Sequence, residues 1–313
     1  MVPVANRPMM EHIVELLKRH GIRDVVSLLY FQPEHITEFF GEGSAHNITM
    51  RYMLAEADFG TAGSVKNAES FLDERFIIIS GDVLTDIDIE KAVAFHEERG
   101  AMATIVLTRV PQPLQYGIVM TDDHGRITRF LEKPSWGEVF SDTINTGIYI
   151  LEPDVMDLIP PKTEFDFSKD LYPLMLQKGL PLFGYVADGY WKDIGNLHEY
   201  QLAHDDVLAG RVRVEFKGEK CDSSYCGTGL QLSPTAELDG LVIIGDEVVI
   251  GDHVRLTNCV IGDGCTIGAG ASIDGAVLWN DVNVGEFVEI THAVVCNDTT
   301  IGSQASIGEN VII

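Results

Sequence analysis

The sequence IGDEVVIGDHVRLTNCVIG at residues 244–262 places an aliphatic residue before glycine at Ile244, Ile250 and Ile261, with Leu256 filling the gap. The steps between these four positions are six, six and five. The same steps run from Ile261 through Ile267 and Ile273 to Leu278, and again through Val284 and Ile290 to Val295. Ile301 and Ile307 continue the phase. The repeat is a 17-residue coil of three short faces. Each coil needs a small residue at the corner and one aliphatic residue pointing inward. Stacked coils then share a core that no single coil could bury. A glycine-rich antiparallel sheet would not hold this phase for four coils, so residues 232–313 are expected to form a parallel β-helix of hexapeptide repeats. The last repeat, IGENVII at 307–313, has no polar cap after it. A C-terminus cut within the array, or a partner covering it, is the expectation, because an array needs a capped end.

Upstream, residues 210–231 join a charged half to a Cys/Ser/Gly half and read as a linker. Residues 1–209 alternate strand and helix patterns, the mark of a βαβ sheet. Their centre is RFIIISGDVLTDID at 75–88. Phe76, Ile77, Ile78 and Ile79 form an unbroken apolar run, which reads as a strand buried on both faces, as in a parallel sheet. Gly81 allows a sharp turn, and Asp82 then sits past the carboxyl end of the strand, the edge where open α/β sheets bind ligands. A carboxylate there can hold a divalent metal against phosphates. The plainer alternative makes Asp82 a turn cap, with Asp86 and Asp88 capping the next helix. Pro8 suits a first helical turn with Asn6 as its cap. Helices are expected at 33–40, 61–71, 89–99, 153–158, 167–177 and 197–208. Strands are expected at 24–30, 48–53, 103–107, 117–120, 127–131, 146–151 and 182–187.

The 313 residues suffice for two domains with real cores. The net charge of -26 argues against nucleic acid or an anionic membrane as partner, and no apolar run reaches membrane-spanning length. Phosphate substrates stay open, because a bound cation offsets the field locally. Five cysteines, an odd number, without a signal peptide imply reduced thiols in a cytoplasm. Cys221 and Cys226 are too widely spaced for a zinc knuckle.

Six stretches now carry a resemblance. They are Glu56 with Gly60, Thr61, Ala62 and Gly63; Gly81 with Asp82; Tyr116 with Gly117; Glu132, Lys133 and Pro134; Asn145, Thr146 and Gly147; and 191–195, WKDIG. Their order and spacing resemble the sugar-1-phosphate nucleotidylyltransferases, and within them the mannose-1-phosphate guanylyltransferases. The resemblance implies a Rossmann-like α/β nucleotidyltransferase domain over 1–209, followed by a β-helix that is left-handed. It implies transfer of a nucleotidyl group to a sugar-1-phosphate with release of pyrophosphate, Mg²⁺ as cofactor, and a homo-oligomer built through the β-helix. It makes Asp82 and Asp193 the metal ligands and Lys133 the partner of the sugar phosphate. Glu132, Asn145 and the backbone of Gly117 face the sugar. Gly60, Thr61, Ala62 and Gly63 line the nucleobase. Glu56, acceptor-only when ionised, suits the donors of guanine and so favours GTP with mannose-1-phosphate. The alternatives are UTP or dTTP with glucose-1-phosphate, and a regulatory or assembly subunit without catalysis. The family's opening strand, its GGxGTRL loop and the lysine of its PKP turn have no counterpart here, which leaves a fragment, a misassigned start or an inactive paralogue. A phosphomannomutase-like domain follows the β-helix in some relatives. His253 and His292 lie on the coils, where hexapeptide acyltransferases keep a base, but without a protruding loop they read as surface residues.

Overall fold

The computed structural model describes residues 1–309 and 311–313, so Asn310 of the final repeat lies outside the described residues. The chain divides into two compact units. An α/β unit holds Val14–Val83 and Ile87–Trp191, and a solenoid unit holds Met1–Ile13, Leu84–Asp86 and Lys192–Ile313.

The α/β unit is built on a mixed six-stranded sheet whose longest strand is Thr143–Leu151. Ala103–Arg109 pairs along one side of it. Phe76–Ile79 and Gly117–Thr121 share the other side. Leu182–Val186 adds in parallel beyond Ala103–Arg109, and Ile127–Glu132 adds antiparallel beyond Gly117–Thr121. Successive side chains in a strand point to opposite faces. Ile105, Leu107, Tyr149 and Leu151 therefore pack with Phe167, Leu171, Tyr172 and Met175 on one face. Val106, Ile148 and Ile150 pack with Ile87, Ile89 and Ala92 on the other. The Ile89–Arg99 helix on that second face starts at Asp88, whose side chain accepts from Lys91 N, and stops at Gly100 in a left-handed conformation. Asp24–Leu29 and Thr49–Leu54 form a separate parallel pair.

Phe76–Ile79 corrects one expectation. The strand runs antiparallel to the Ile148–Leu151 end of its neighbour, has no second partner among the described residues, and all four of its residues are half-buried. A four-residue apolar run looks the same in an edge strand as in a central parallel one, because periodicity cannot separate the two.

In the solenoid unit the expected coils appear as three parallel sheets. The inward columns are Ile244, Ile261, Leu278 and Val295; Ile250, Ile267, Val284 and Ile301; and Leu256, Ile273, Ile290 and Ile307, all buried in one core. The array begins earlier than expected, within the stretch 210–231 read as linker. Cys226 pairs with Ile244, Leu232 with Ile250 and Leu238 with Leu256, each across 18 positions rather than 17. Ahead of this coil, Glu219–Cys221 folds back antiparallel onto Ser224–Cys226.

That hairpin corrects the cysteine reading. Cys221 and Cys226 form a disulfide with Cα atoms 6.2 Å apart. Residues five apart in sequence become near neighbours once the chain reverses between them, which spacing alone did not reveal. Cys259 and Cys265 are free and buried, and burial pushes the Cys265 thiol up to about 11. Asn6 is not a helix cap either. It occupies the left-handed turn between Pro3–Val4 and Arg7–Pro8, and its amide donates to Ile261 O at 2.6 Å.

Candidate active site

The middle of the long strand is irregular. Its register against Ala103–Arg109 shifts between Asn145 and Tyr149, a bulge that re-aims the side chains around it. Gly147 takes φ of +75° there, and a Cβ on it would lie 2.6 Å from Ser80 Oγ. Gly147 N donates to Asn145 Oδ1 at 3.0 Å, while Thr146 Oγ1 donates to Val106 O at 2.7 Å. Trp191 closes over the same turn, its Nε1 donating to Thr146 O at 2.9 Å and its ring edge-on to Tyr116 at 5.4 Å. Three of the six stretches singled out in the sequence thus meet.

With its oxygen committed to Gly147 N, the Asn145 amide turns its Nδ2 toward Tyr149 OH at 3.1 Å and Ser168 Oγ at 3.3 Å. Glu132 ends the Ile127–Glu132 strand opposite Gly117. A Cβ at Gly117 would stand 2.6 Å from Glu132 Oε2, so the glycine makes room for this carboxylate. Burial raises the Glu132 carboxyl above its ordinary range, and the Asp166 carboxylate adds to the rise. Lys133, a hydrogen bond from Ser168, and Lys169 pull it back. Lys133 is exposed and held at φ of +44°, with its N–H donating to Tyr116 O at 3.1 Å. Burial pushes the Tyr149 phenol up to about 12, so it remains protonated.

The glycine-rich helix start makes its close approach to the chain at 163–167. A Cβ on Gly60 would meet Phe165 O at 2.9 Å, and one on Gly63 would meet Thr163 O at 2.5 Å. Gly63 N donates to Phe165 O, and Gly60 N donates to Asp58 Oδ1, both at 2.9 Å. Thr61 Oγ1 donates to Asp166 Oδ2 at 2.7 Å and accepts from Phe167 N at 3.0 Å. Ala62 is fully buried. Much of this turn is therefore occupied in shaping the unit's own chain. Glu56 stays exposed after the Thr49–Leu54 strand.

Asp82 lies exposed in the α/β unit, in the turn after Phe76–Ile79. Asp193 belongs to the solenoid unit, where its Oδ1 accepts from Gly195 N at 2.8 Å. Lys192 pairs with Glu199 at 3.1 Å and Asp206 at 3.6 Å. His253 and His292 are exposed, as expected. Sequence reasoning missed Tyr149, Asp166 and Ser168. Asp166 and Ser168 stand in the π-helical turn Phe167–Leu171 and its cap, where Asp166 Oδ1 accepts from Ser168 N at 2.8 Å and Lys169 N at 3.1 Å. The signal was present as Asp-Phe-Ser at the head of an expected helix, a pattern normally dismissed as a cap.

A mixed α/β sheet followed by a parallel β-helix of hexapeptide coils is the architecture of a nucleotidyltransferase with a left-handed β-helix domain. The nucleotidyl transferase family model matches residues 1–210, and the EIF2B subunit epsilon LbH domain model matches 222–313. The chain belongs to the nucleotidyl transferase family, among the sugar-1-phosphate nucleotidyltransferases. It is 36% identical to a UTP–glucose-1-phosphate uridylyltransferase of Synechocystis, over 78% of this chain and 68% of that protein. It is 30% identical to a mannose-1-phosphate guanylyltransferase of Mycobacterium tuberculosis, again over 78% and 68%. The crystal structure of HddC from Yersinia pseudotuberculosis shares the fold, with a TM-score of 0.58 at 22% identity, over 66% of this chain and 88% of that one. Among the described residues no helix is long and apolar enough to cross a membrane.

Proposed function

We propose that the chain condenses a nucleoside triphosphate with a sugar-1-phosphate. An oxygen of the sugar phosphate attacks the α-phosphorus, and the bond to the departing pyrophosphate breaks. The observation that carries this reading is the pairing of Glu132 and Asn145, which offer acceptors to sugar hydroxyls, with Lys133 next in sequence as a cation for the phosphate. The nucleophile is already anionic near neutral pH, so alignment and charge neutralisation matter more than a strong base.

Asp82 is the residue of the α/β unit that we assign to Mg²⁺. Its exposed carboxylate offers hard oxygens to an ion that retains waters and takes its other ligands from phosphates. When bound, the ion supplies positive charge between the two reacting anions.

GTP with mannose-1-phosphate is the favoured pair, on the exposed Glu56 carboxylate as an acceptor for guanine donors. UTP with glucose-1-phosphate is the second reading, favoured by the 36% identity to the Synechocystis protein. Pyrophosphate release with Mg²⁺, measured for each triphosphate against each sugar-1-phosphate, separates them. Turnover with one pair that is lost in Asp82→Ala supports the enzyme and names the substrates. No turnover with any pair, together with retained nucleotide-sugar binding, would identify a regulatory subunit.

A further inference from the structure

We propose that the cavity between the Leu197–Leu208 helix and one corner of the coils binds a small aliphatic diamine, a ligand class that the proposed reaction does not use.

Both walls belong to the solenoid unit. The helix contributes His198, Gln201 and Asp205, spaced three and four apart and hence on one face. The coils contribute Gly275, His292 and Glu309, spaced 17 apart and hence stacked in one corner column. Seven helical residues rise about 10 Å, and two coil steps advance about the same distance, so the two rows match in length. Gln201 Nε2 donates to His292 O at 3.1 Å and ties them together. The His292 ring is seated over Gly275, where a Cβ would lie 2.4 Å from its Nδ1. The space between the rows is about 250 Å³. A single water needs only about 10–15 Å³, so the cavity admits a molecule rather than a lone ion.

The charges of the lining select the ligand. Among the described residues two carboxylates, Asp205 and Glu309, line the cavity, and no lysine or arginine does. The cations nearby go to Asp206, which holds Arg211 at 2.6 Å and Lys192 at 3.6 Å. Successive helical residues point about 100° apart, so Asp205 is turned away from that cluster and into the cavity. Its carboxylate has no hydrogen bond or ion pair among the described residues. A carboxylate partly withdrawn from water without a partner carries a desolvation cost that a bound cation offsets. Burial raises the Asp205 carboxyl above its ordinary range, in keeping with that cost. The same carboxylates repel phosphate groups, which excludes nucleotides and sugar phosphates. Among the described residues no cluster of three or more His, Cys, Asp or Glu is arranged to hold a metal ion, so the cation is organic. Leu202 and Val277 offer an apolar wall to methylene groups. With one carboxylate on the helix and the other on the coils, a ligand with an ammonium at each end satisfies both walls.

The test is calorimetric titration of the full chain with putrescine at about 0.15 M salt, where screening weakens loose attraction to a chain of net charge -26. One saturable site is expected. Asp205→Asn and Glu309→Gln are each expected to weaken it about tenfold, the scale of one charged hydrogen bond. Butylamine, which lacks the second ammonium, is expected to bind the wild-type chain more weakly by a similar factor. Glu286→Gln, at an exposed carboxylate outside the cavity, is expected to leave putrescine binding unchanged. Absence of saturable binding to the wild-type chain overturns the proposal. Equal losses in Glu286→Gln and Asp205→Asn overturn it in favour of general charge attraction. Saturation by Zn²⁺ or inorganic phosphate that Asp205→Asn alters and putrescine does not displace overturns the ligand class.

Discussion

At the scale of single residues, burial moves the titrations of Glu132 and His204 so that the two respond to pH in opposite senses. Burial raises the Glu132 carboxyl, so its ionised form is disfavoured in the folded chain. An acid with a raised folded pKa costs stability at neutral pH, and that cost disappears as pH falls through the folded value. Glu132→Gln is therefore expected to raise Tm at pH 7 by about 2 °C while removing activity, since a kcal/mol is worth a few degrees in a domain of this size. A lower Tm in the variant would show that the carboxylate is instead a net stabiliser. His204 behaves in the opposite sense. It is fully buried in the solenoid unit, with Nε2 accepting from Ala5 N at 3.4 Å and Nδ1 bonded to Tyr200 O at 3.1 Å. Burial lowers it to about 4. The unfolded chain binds the proton near pH 6.5 and the folded chain does not, so the stability it supports is complete above 6.5 and drains away toward 4. Urea unfolding at pH 7 and pH 4.5 should show His204→Gln losing up to about 3 kcal/mol less than the wild type on acidification. The sequence displayed Glu132, Lys133 and Asn145, because short polar motifs beside prolines and glycines stand out. It did not display Ser168 or Tyr149, whose part depends on which lone pair faces which hydrogen.

At the scale of elements, the coils show two kinds of glycine, and the Ile/Val-Gly pattern contains only one. Gly245, Gly262, Gly268 and Gly285 do not take positive φ. They are required because a Cβ would meet the next coil; at Gly268 it would lie 2.6 Å from the carbonyl carbon of Gly285. The second kind occupies left-handed corners and shares its columns with larger residues, as in His253, Gly270, Phe287 and Gln304. A Cβ on Gly270 would lie 2.5 Å from the Phe287 ring, so Phe287 leans over a glycine of the preceding coil. One column is also laced by side chains. Asp246 N donates to Asp263 Oδ1, Asp263 N to Asn280 Oδ1 and Asn280 N to Asn297 Oδ1, at 2.8 to 3.0 Å. The two carboxylates in that column share Lys217, whose Nζ is 2.7 Å from Asp246 and 2.9 Å from Asp263, and that bond holds the Asp246 carboxyl below its ordinary range. The neutral asparagines follow where Lys217 is no longer present. The inward aliphatic column was readable because its period is strict. The first coil was not, because Cys226, Leu232 and Leu238 lack the isoleucine-glycine mark and carry an extra residue in the turn before Ile243. Coil stacking should make two glycines of the same pattern respond differently to a methyl group. Gly268→Ala should cost more than about 2 kcal/mol in chemical denaturation, since backbone has to move to admit the methyl group. Gly302→Ala, whose Cβ would meet nothing within 4 Å, should stay within about 0.5 kcal/mol of wild type. Equal losses at the two positions would mean that intrinsic glycine flexibility, rather than coil stacking, selects these residues.

At the scale of the whole molecule, the unit boundaries and the charge act on different physics. The N-terminal residues Met1–Ile13 belong to the same compact unit as the C-terminal coils. Tyr200 shows how, its hydroxyl donating to Pro3 O at 2.6 Å and accepting from Trp279 Nε1 at 2.9 Å. A sequence read in order sees an opening loop at one end and a repeat at the other, because no local pattern records a contact across almost 200 positions. Charge, by contrast, is wholly legible. A net charge of -26 gives the folded chain a self-repulsion that unfolding relieves by spreading the charges apart. The screening length shrinks from about 30 Å at 0.01 M salt to about 3 Å at 1 M, so added salt removes this repulsion before it weakens close pairs such as Lys217 with Asp246 and Asp263. Raising KCl from 0.02 to 0.5 M should therefore raise Tm by about 5 °C, a scale of one to two kcal/mol for a domain of this size. NaCl should act equally, because screening depends on ionic strength and not on the identity of a monovalent cation. A Tm that fell with both salts would mean that attractive surface pairs outweigh the net repulsion. A rise confined to one cation would replace general screening with a specific ion site.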